Sequence, residues 1–333
     1  MTVTSRLRLH PVLSGVALGL AAAALFVRWR FDTDIERARD RVHRGSLLIE
    51  TCCGPIEYQE AGTGVPLLAV HGSGGGFDQG IAFAAPLAKQ GIRVIAMSRF
   101  GYLRTPMPAD PSAEAQADAH ACLLDALGTT RAAVMGGSAG APSALQMAIR
   151  NPDRVTALIL LVPLAYKPPT QGNSAPPLAP WVETTMMSVI GSDFLFWATT
   201  YVARDQMINV VFATPPALLA TASATERARI NAMLDTILPV SDRAAGLRSD
   251  SAVGKHLAPA ALDSIRMPTL IISARDDGYG TYASAQYTAN QIAGARFIGF
   301  EHGGHTWVGH NDEVMAEIVK LIVPAARAAR DAP

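Results

Sequence analysis

Short runs of apolar, often β-branched residues recur along the chain and are separated by longer stretches rich in helix-forming residues. Apolar runs of about four to eight residues bounded by turn residues are typical of buried strands. Such runs lie at 65–70, 93–97, 131–135, 155–162, 268–272 and 295–300. Because these strands alternate with helical stretches, the pattern predicts an α/β protein with a doubly wound, mostly parallel sheet.

Between 165 and 255 the strand-like runs give way to an insertion of helical character. A proline-rich connector, Lys167–Pro177, precedes apolar stretches around Trp181–Thr200 and Ala217–Leu238. Some aromatic side chains of this region are candidates to line a substrate pocket, and the alternative is that they hold the insertion to the rest of the protein. These candidates are Phe194, Phe196, Trp197, Tyr201 and Phe212.

The N-terminal stretch Pro11–Val27 carries no charged residue, and arginines flank it on both sides. This length is about the lower limit for a membrane span, and it also suits the apolar region of a signal sequence, cleaved or not. A buried or amphipathic terminal helix is the alternative. The arginine-rich flank from Arg28 to Arg44 disfavours export of that side, whereas a signal-anchor interpretation would put the catalytic part outside. The expectation is therefore a membrane-associated protein of undetermined sidedness, with a soluble cytoplasmic or exported enzyme as the alternative.

Length and composition are those of one large domain with an insertion. The chain has 333 residues and 49% hydrophobic residues, which is ample for a core. Its formal net charge is zero and its pI is about 7.1, so a polyanionic partner such as nucleic acid is not expected. Oligomeric state is left open.

The three cysteines, Cys52, Cys53 and Cys122, show no C-x-x-C or Cys/His spacing. Neighbouring Cys52 and Cys53 do not pair easily with each other in a strand, and without such spacing a zinc site is not expected. The odd number of cysteines gives no disulfide framework. An odd cysteine count favours a reducing compartment slightly.

Gly136-Gly137-Ser138-Ala139-Gly140 has the spacing G-x-S-x-G and follows a predicted strand. In a nucleophile elbow, a serine lies on a strained turn between a strand and a helix, and glycines leave room for the close packing that the turn needs. The stretch 139–149 is rich in small helix-forming residues, and Pro142 falls in its first turn, where a missing N–H costs little. The context therefore favours an elbow with Ser138 as the nucleophile.

A serine hydroxyl needs a base and an orienting carboxylate to become an effective nucleophile. The predicted strand at 268–272 runs into Asp276 and Asp277, and the strand at 295–300 runs into His302 and His305. The chain order is therefore serine, aspartate, histidine.

These motifs together resemble the α/β-hydrolase superfamily from about residue 46 to the C-terminus. Val70-His71-Gly72-Ser73-Gly74 resembles the family's strand and oxyanion turn, Phe100-Gly101-Tyr102 resembles the Gly-Tyr turn after the next strand, and Asn151–Val155 resembles the lead into the strand after the elbow helix. The resemblance implies a core of 46–164 and 256–333, preceded by an N-terminal hydrophobic segment and linker at 1–45. It also implies a helical cap at 165–255, inserted after the strand Val155–Val162.

The same resemblance implies the roles of the site residues. Ser138 is expected to be the nucleophile, His305 the base and Asp277 the acid, with His302 and His310 as rival bases and Asp276 as the rival acid. The N–H groups of Ser73 and Ala139 are expected to bind the oxyanion, with Gly74 in reserve for Ser73.

The expected activity is that of a carboxylesterase-like serine hydrolase acting on a small ester-like substrate through an acyl-enzyme, without metal or organic cofactor. Alternatives within the superfamily are cofactor-free haloperoxidase-type activity and carbon–carbon bond hydrolysis, because both use the same triad. Trp307, close to His305, resembles a tryptophan of the meta-cleavage-product hydrolases. A ligand-binding relative without turnover is the alternative of another class.

Overall fold

The computed structural model of the chain describes residues 11–168, 188 and 191–331. Its centre is one eight-stranded sheet in the order β1-β2-β4-β3-β5-β6-β7-β8. Strands β3 to β8 run parallel to one another, while β2 pairs antiparallel with both β1 and β4. The strands are β1 Leu47–Thr51, β2 Gly54–Ala61, β3 Val65–Val70, β4 Ile92–Met97, β5 Ala132–Gly137, β6 Val155–Leu161, β7 Thr269–Ala274 and β8 Arg296–Phe300.

Helices cover both faces of this sheet. The described helices are α1 Pro11–Gly45, α2 Phe77–Ala88, α3 Ala113–Ala126, α4 Ala141–Arg150, α5 Asp193–Val202, α6 Arg204–Phe212, α7 Pro216–Thr221, α8 Ala224–Asp235, α9 Ala244–Lys255, α10 Thr281–Gln291 and α11 Asn311–Asp331. Helices α3, α4 and α10 bury their apolar side chains against one face, and α2 and α11 bury theirs against the other. The predicted doubly wound, mostly parallel α/β fold is confirmed.

Helices α5 to α9 are inserted between β6 and β7, and we call them the inserted helices. They have a hydrophobic cluster of their own, in which Phe196, Phe212, Ile230 and Leu234 are buried. Most of the proline-rich connector and the first part of the stretch around Trp181–Thr200 lie outside the described residues. The boundaries predicted for the three parts of the chain stay a prediction.

Helix α1 has two halves of different character. The apolar side chains of its first half point outward, and Leu18, Leu20 and Leu25 are each about 70% exposed. The segment Leu13–Gly45 has a window with mean hydropathy 1.3, none of which is buried against the protein, so it qualifies by length and composition as a membrane-spanning helix. The residues expected to form a linker up to residue 45 continue the same helix instead.

The second half of α1 packs against the inserted helices. Ile35, Ala38 and Val42 are buried there. The Phe31 ring contacts the ring of Phe194 at 5.3 Å and that of Trp197 at 5.6 Å between centroids. Polar contacts add to this interface, since the Trp197 Nε1–H donates to Asp34 at 3.0 Å and Arg39 pairs with Asp193 at 3.3 Å. The second half of α1 is therefore held by its contacts with α5.

The cysteines correct the sequence-based expectation. Cys122 of α3 lies within disulfide reach of both Cys52 and Cys53 at the β1–β2 turn, with Cα–Cα distances of 5.6 Å and 6.1 Å. One sulfur forms one disulfide, so the two pairings are alternatives. The expectation of no disulfide is wrong because Cys122, 69 and 70 residues further along the chain, is brought to the turn only by the packing of α3 beside the edge strands.

Candidate active site

Ser138 occupies a strained turn directly after β5. Its φ of 49° lies in the left-handed region, which is uncommon for a residue with a side chain, and a short 3₁₀ turn, Ser138–Gly140, leads from it into α4. The motif glycines are required by close contacts. A Cβ on Gly140 would lie 2.6 Å from backbone oxygens of the β3 end, and a Cβ on Gly136 would lie 2.7 Å from the Ala144 Cβ. The turn thus has the geometry predicted for a nucleophile elbow.

Asp277 and His305 form a buried pair beyond the carboxyl ends of β7 and β8. The His305 Nδ1 lies 2.9 Å from Asp277 Oδ2, and the side chains are 7% and 0% exposed. Asp277 also accepts hydrogen bonds from the Thr281 hydroxyl and from the Tyr279 N–H. Burial by itself would raise the pKa of Asp277, but the charge and hydrogen bond of His305 and these two donors lower it below its ordinary value. Asp277 is therefore ionised at neutral pH and accepts a hydrogen bond from the imidazole when Nδ1 carries the proton.

Asp276, the rival acid, binds backbone instead. Its two carboxylate oxygens accept the N–H groups of Gly304 at 2.8 Å and Gly303 at 3.2 Å. These glycines directly precede His305, so Asp276 holds the loop that carries the histidine. The adjacent carboxylates thus have different partners, one the imidazole and the other its loop.

Replacement of each aspartate by asparagine should show which of Asp276 and Asp277 acts on the histidine. In the chymotrypsin-type triad the same change of the orienting aspartate costs about 10⁴ in kcat because the histidine tautomer is no longer held. We expect a loss of this order for Asp277→Asn, while Asp276→Asn, whose amide oxygen still accepts a backbone N–H, should stay within about tenfold of the wild type. Steady-state kinetics on both variants measure this. An inactive Asp276→Asn beside an active Asp277→Asn would reverse the assignment.

The rival histidines have other surroundings. His302 is 80% exposed at the surface and lies 3.5 Å from Asp276. His310 stacks on the Phe300 ring at 3.8 Å and faces Glu313 at 3.6 Å. Of the three predicted candidates, His305 is the one whose ring is buried against a buried carboxylate.

Ser138 and His305 lie at the same edge of the sheet, because β5, β7 and β8 are parallel and these residues follow their carboxyl ends. Within the described residues no hydrogen bond joins the Ser138 hydroxyl to the His305 ring. Such a bond is often long in a ligand-free enzyme and tightens when substrate binds. The structure therefore brings Asp277 onto His305, and the approach of Ser138 stays a prediction.

The predicted oxyanion donors lie next to Ser138. Gly72 packs so closely that a Cβ built on it would lie 3.1 Å from the Ser138 Cβ. In the described part of the chain the backbone N–H groups of Ser73 and Ala139 donate to no protein acceptor. The N–H of Gly74, the reserve candidate, donates to the Tyr102 hydroxyl at 3.2 Å. This leaves Ser73 and Ala139 as the available pair.

The inserted helices also contact the loop that carries His305. The Arg229 guanidinium of α8 donates to the Thr306 carbonyl at 2.7 Å and lies over the Trp307 ring, 5.6 Å from its centroid. Glu226 accepts the Gly309 N–H at 3.1 Å. Trp307 is buried, so its visible role is to pack this loop.

A cavity of about 550 Å³ lies against the elbow helix α4, and its described lining does not include Ser138, Asp277 or His305. It is lined mainly by apolar residues of α4, of the segment after β6 and of α9, among them Pro142, Leu164 and Val253. Leu164 is adjacent to the elbow, because its N–H donates to the Ser138 carbonyl at 3.0 Å. Among the residues that the structure describes, none of the five candidate aromatic side chains lines this cavity.

Sequence reasoning missed three side chains at the oxyanion turn. Arg99, Tyr102 and Asp250 are buried and hydrogen-bonded together beside Ser73. The Gly-Tyr turn is visible in the sequence and points towards the first two. Asp250 sits in α9 without any motif, so only the tertiary structure shows it.

Comparison with known proteins supports the family resemblance. The family model described as "alpha/beta hydrolase fold" matches residues 65–308. The chain is 37% identical over 106 residues to a 2-hydroxymuconate semialdehyde hydrolase of Pseudomonas sp. (strain CF600), a match that covers 31% of this chain and 38% of the relative. The chain thus spans about two fifths of the length of this curated relative.

Two solved structures cover far more of the chain. An alpha/beta hydrolase fold protein from Nakamurella multipartita superposes with a TM-score of 0.68 and 27% identity over 85% of this chain and 99% of its own. A bacterial membrane phospholipase A, described as a virulence factor, superposes with a TM-score of 0.61 and 20% identity over 97% of this chain and 99% of its own. A coverage of 97% means that the second alignment extends into α1.

Proposed function

The chain belongs to the alpha/beta hydrolase fold family, and from this premise we propose that it is a serine hydrolase that cleaves an ester-like bond of a small molecule. The observation that carries the proposal is the buried His305–Asp277 pair at 2.9 Å, at the same sheet edge as the strained Ser138. A neutral imidazole held by a carboxylate is the base that a serine nucleophile requires.

In the proposed reaction His305 first takes a proton and then gives it back, both when the acyl-enzyme forms and when it is hydrolysed. The Ser138 Oγ attacks the carbonyl carbon, and His305 Nε2 takes the hydroxyl proton while Asp277 stabilises the imidazolium. The N–H groups of Ser73 and Ala139 stabilise the oxyanion of the tetrahedral intermediate. The leaving alcohol takes the proton from His305, and a water activated by the same histidine then releases the acid from the acyl-enzyme. No step calls for a metal or an organic cofactor.

The second candidate is hydrolysis of a carbon–carbon bond. It is favoured by the relatives that carry such names, among them the 2-hydroxymuconate semialdehyde hydrolase and a 2-hydroxy-6-oxo-6-phenylhexa-2,4-dienoate hydrolase of Comamonas testosteroni. The esterase proposal is preferred because the described residues that line the cavity include no arginine or lysine, the side chains that would bind a dienoate carboxylate.

A substrate panel distinguishes these candidates. We expect p-nitrophenyl esters of rising acyl chain length to be hydrolysed, and a 2-hydroxy-6-oxo-dienoate to be turned over at least about a hundredfold more slowly in kcat/KM, a difference of the size that pocket chemistry supplies. A fluorophosphonate probe should label the wild type covalently. Faster turnover of the dienoate would replace the esterase proposal with the second candidate. Absence of labelling and of any turnover would favour the ligand-binding relative.

We further propose that the first half of α1 anchors the enzyme in a membrane. Residues 13–27 expose their apolar side chains along a helix that the rest of the protein leaves uncovered. Buried contacts of the helix with the body begin at Phe31, just after Arg28 and Arg30, which suit the membrane surface. The helix is continuous through both halves, so the inserted helices would lie close to the bilayer.

Deletion of residues 1–30 tests the anchor. The deletion removes the exposed half of α1 and keeps the half that packs on α5, so the variant should stay folded, keep its turnover and move from the membrane fraction to the soluble fraction. Fractionation with an alkaline carbonate wash and ester assays measure both properties, with the full-length protein as the control. Full-length protein found wholly in the soluble fraction with its N-terminus intact would contradict the anchor.

A further inference from the structure

The carboxylate of Asp250 comes from the inserted helices but binds groups of the core. Asp250 lies in α9, and its side chain is 8% exposed. Its Oδ1 and Oδ2 each accept a hydrogen bond of 2.7 Å from the two terminal nitrogens of Arg99, which follows β4 and is also 8% exposed. This is the bidentate geometry in which an arginine–carboxylate pair is strongest.

The same carboxylate also holds the oxyanion turn. Asp250 Oδ2 accepts the Ser73 hydroxyl at 2.8 Å and the Tyr102 hydroxyl at 2.5 Å. The Tyr102 oxygen in turn accepts the Gly74 N–H at 3.2 Å. Burial, followed by the Asp250 charge, raises the pKa of Tyr102 well above its ordinary value, so its hydroxyl remains a donor to Asp250. One carboxylate thus fixes two consecutive residues of the turn.

Arg99 holds the start of the turn from the other side. Its N–H donates to His71 Nε2 at 2.9 Å, and its Nε donates to the His71 carbonyl at 3.0 Å. Burial, followed by the Arg99 charge, lowers the pKa of His71 well below its ordinary value. The neutral ring therefore carries its proton on Nδ1, where it donates to the Gly72 carbonyl at 2.7 Å. His71 and Ser73 are thus bonded directly to the Arg99–Asp250 pair, Gly74 is bonded to it through Tyr102, and Gly72 through the His71 ring.

The turn has other hydrogen bonds, since the Gly72 N–H donates to Gln79 Oε1 at 3.0 Å and Arg243 donates to the Gly75 carbonyl, but the Ser73 side chain is held by Asp250. Four of the residues 72–76 are glycines, and Ser73 itself is exposed. An oxyanion donor stabilises a transition state only if it points at the developing charge before the reaction begins. Fixing such a loop against its conformational freedom requires specific contacts.

We propose that Asp250 is a positioning residue that, through Ser73, Tyr102 and Arg99, directs the Ser73 N–H into the oxyanion site. This role rests on the proposed function. Because Asp250 lies in α9, the conformation of the oxyanion turn then depends on how α9 packs on the core. The buried ion pair would then serve conformational specificity, a use attested for some buried polar groups.

Two variants test the role. Asp250→Asn removes the charge and one of the acceptors, and Ser73→Ala removes one hydrogen bond while it keeps the backbone N–H. Loss of a whole oxyanion donor costs about 10²–10³ in kcat. A donor that is misdirected but present costs less, so we expect kcat to fall about 10- to 100-fold for Asp250→Asn and about three- to tenfold for Ser73→Ala. KM should change by less than about threefold in both, because the ground-state carbonyl gains little from the donor.

The matched control is Asp242→Asn, the same change at an exposed carboxylate just before α9. It should leave kcat and KM unchanged. The rate of covalent labelling by a fluorophosphonate should fall in parallel with kcat in the two test variants, since phosphonylation of serine also develops charge at the oxyanion site. A merely structural role would lower the amount of active enzyme without changing the labelling rate of the enzyme that remains folded.

The outcomes are separable. If Asp250→Asn does not fold, as thermal unfolding would show, Ser73→Ala decides, because its side chain is exposed and makes one hydrogen bond. Wild-type labelling at Ser138, together with unchanged kcat and labelling rate in the folded test variants, would overturn the role of Asp250 and leave the proposed function intact. A wild type that shows neither labelling nor turnover would overturn the proposed function and this role together.

Discussion

Replacement of Ser138 by alanine should reduce kcat for ester hydrolysis by about 10⁶-fold, the size of the effect seen when the nucleophile of a serine protease triad is removed. The reason is chemical, because alanine offers no oxygen to form the acyl-enzyme. The fold should persist, since Ser138 is held by the backbone of the elbow and no hydrogen bond of its side chain occurs within the described residues.

Steady-state kinetics and fluorophosphonate labelling measure this effect. Ser264→Ala, which alters an exposed serine before β7, is the matched control and should label and turn over like the wild type. Turnover of Ser138→Ala comparable to that of the wild type would show that another residue is the nucleophile.

Replacement of His305 by alanine should cost about as much, because in such a triad the loss of the base is nearly as severe as the loss of the nucleophile. His305 is buried against the ionised Asp277, with the Tyr279 ring edge-on at 4.8 Å between centroids. The Tyr279 hydroxyl donates to the carbonyls of Val210 at 3.2 Å and Val211 at 3.0 Å, so this neighbour serves as a donor and does not compete as a base.

His302→Ala and His310→Ala are the controls, and each should keep kcat/KM within about threefold, as expected for side chains outside the chemistry. The double variant Ser138→Ala/His305→Ala should be no slower than either single variant, since triad residues act as a unit. A His305→Ala enzyme that keeps its activity, beside an inactive His302→Ala or His310→Ala, would transfer the role of base.

In the N-terminal helix, the local sequence pattern predicts one half and not the other. Its uncharged half is visible in the sequence, and the structure leaves that half exposed as a membrane-length helix would be. The pattern did not indicate that Arg28 to Gly45 continue the helix, since this half is stabilised by its contacts with α5 rather than by a motif. Two of the aromatic residues considered as pocket candidates, Phe194 and Trp197, supply such contacts, because a large ring suits a helix interface as well as it suits a substrate.

The contacts of the cysteines and of Asp250 could not be predicted from local sequence patterns. Cys122 approaches Cys52 and Cys53 across about 70 residues, and Asp250 approaches Ser73 across 177. Pairings of this kind depend on how α3 and α9 pack on the sheet, which no local spacing reports.

The sequence by itself determined the alternation of strands and helices, the elbow at Ser138, and the order in which serine, aspartate and histidine follow their strands. Strand patterns and tight turns depend on near neighbours, and glycine spacing reports the close contacts of a turn directly. The tertiary structure alone decided which of Asp276 and Asp277 contacts the imidazole, which N–H of the oxyanion turn is free, and which residue of the inserted helices holds that turn. These choices depend on which groups far apart in the chain come within hydrogen-bond distance of each other, and such contacts are set by the packing of the whole fold.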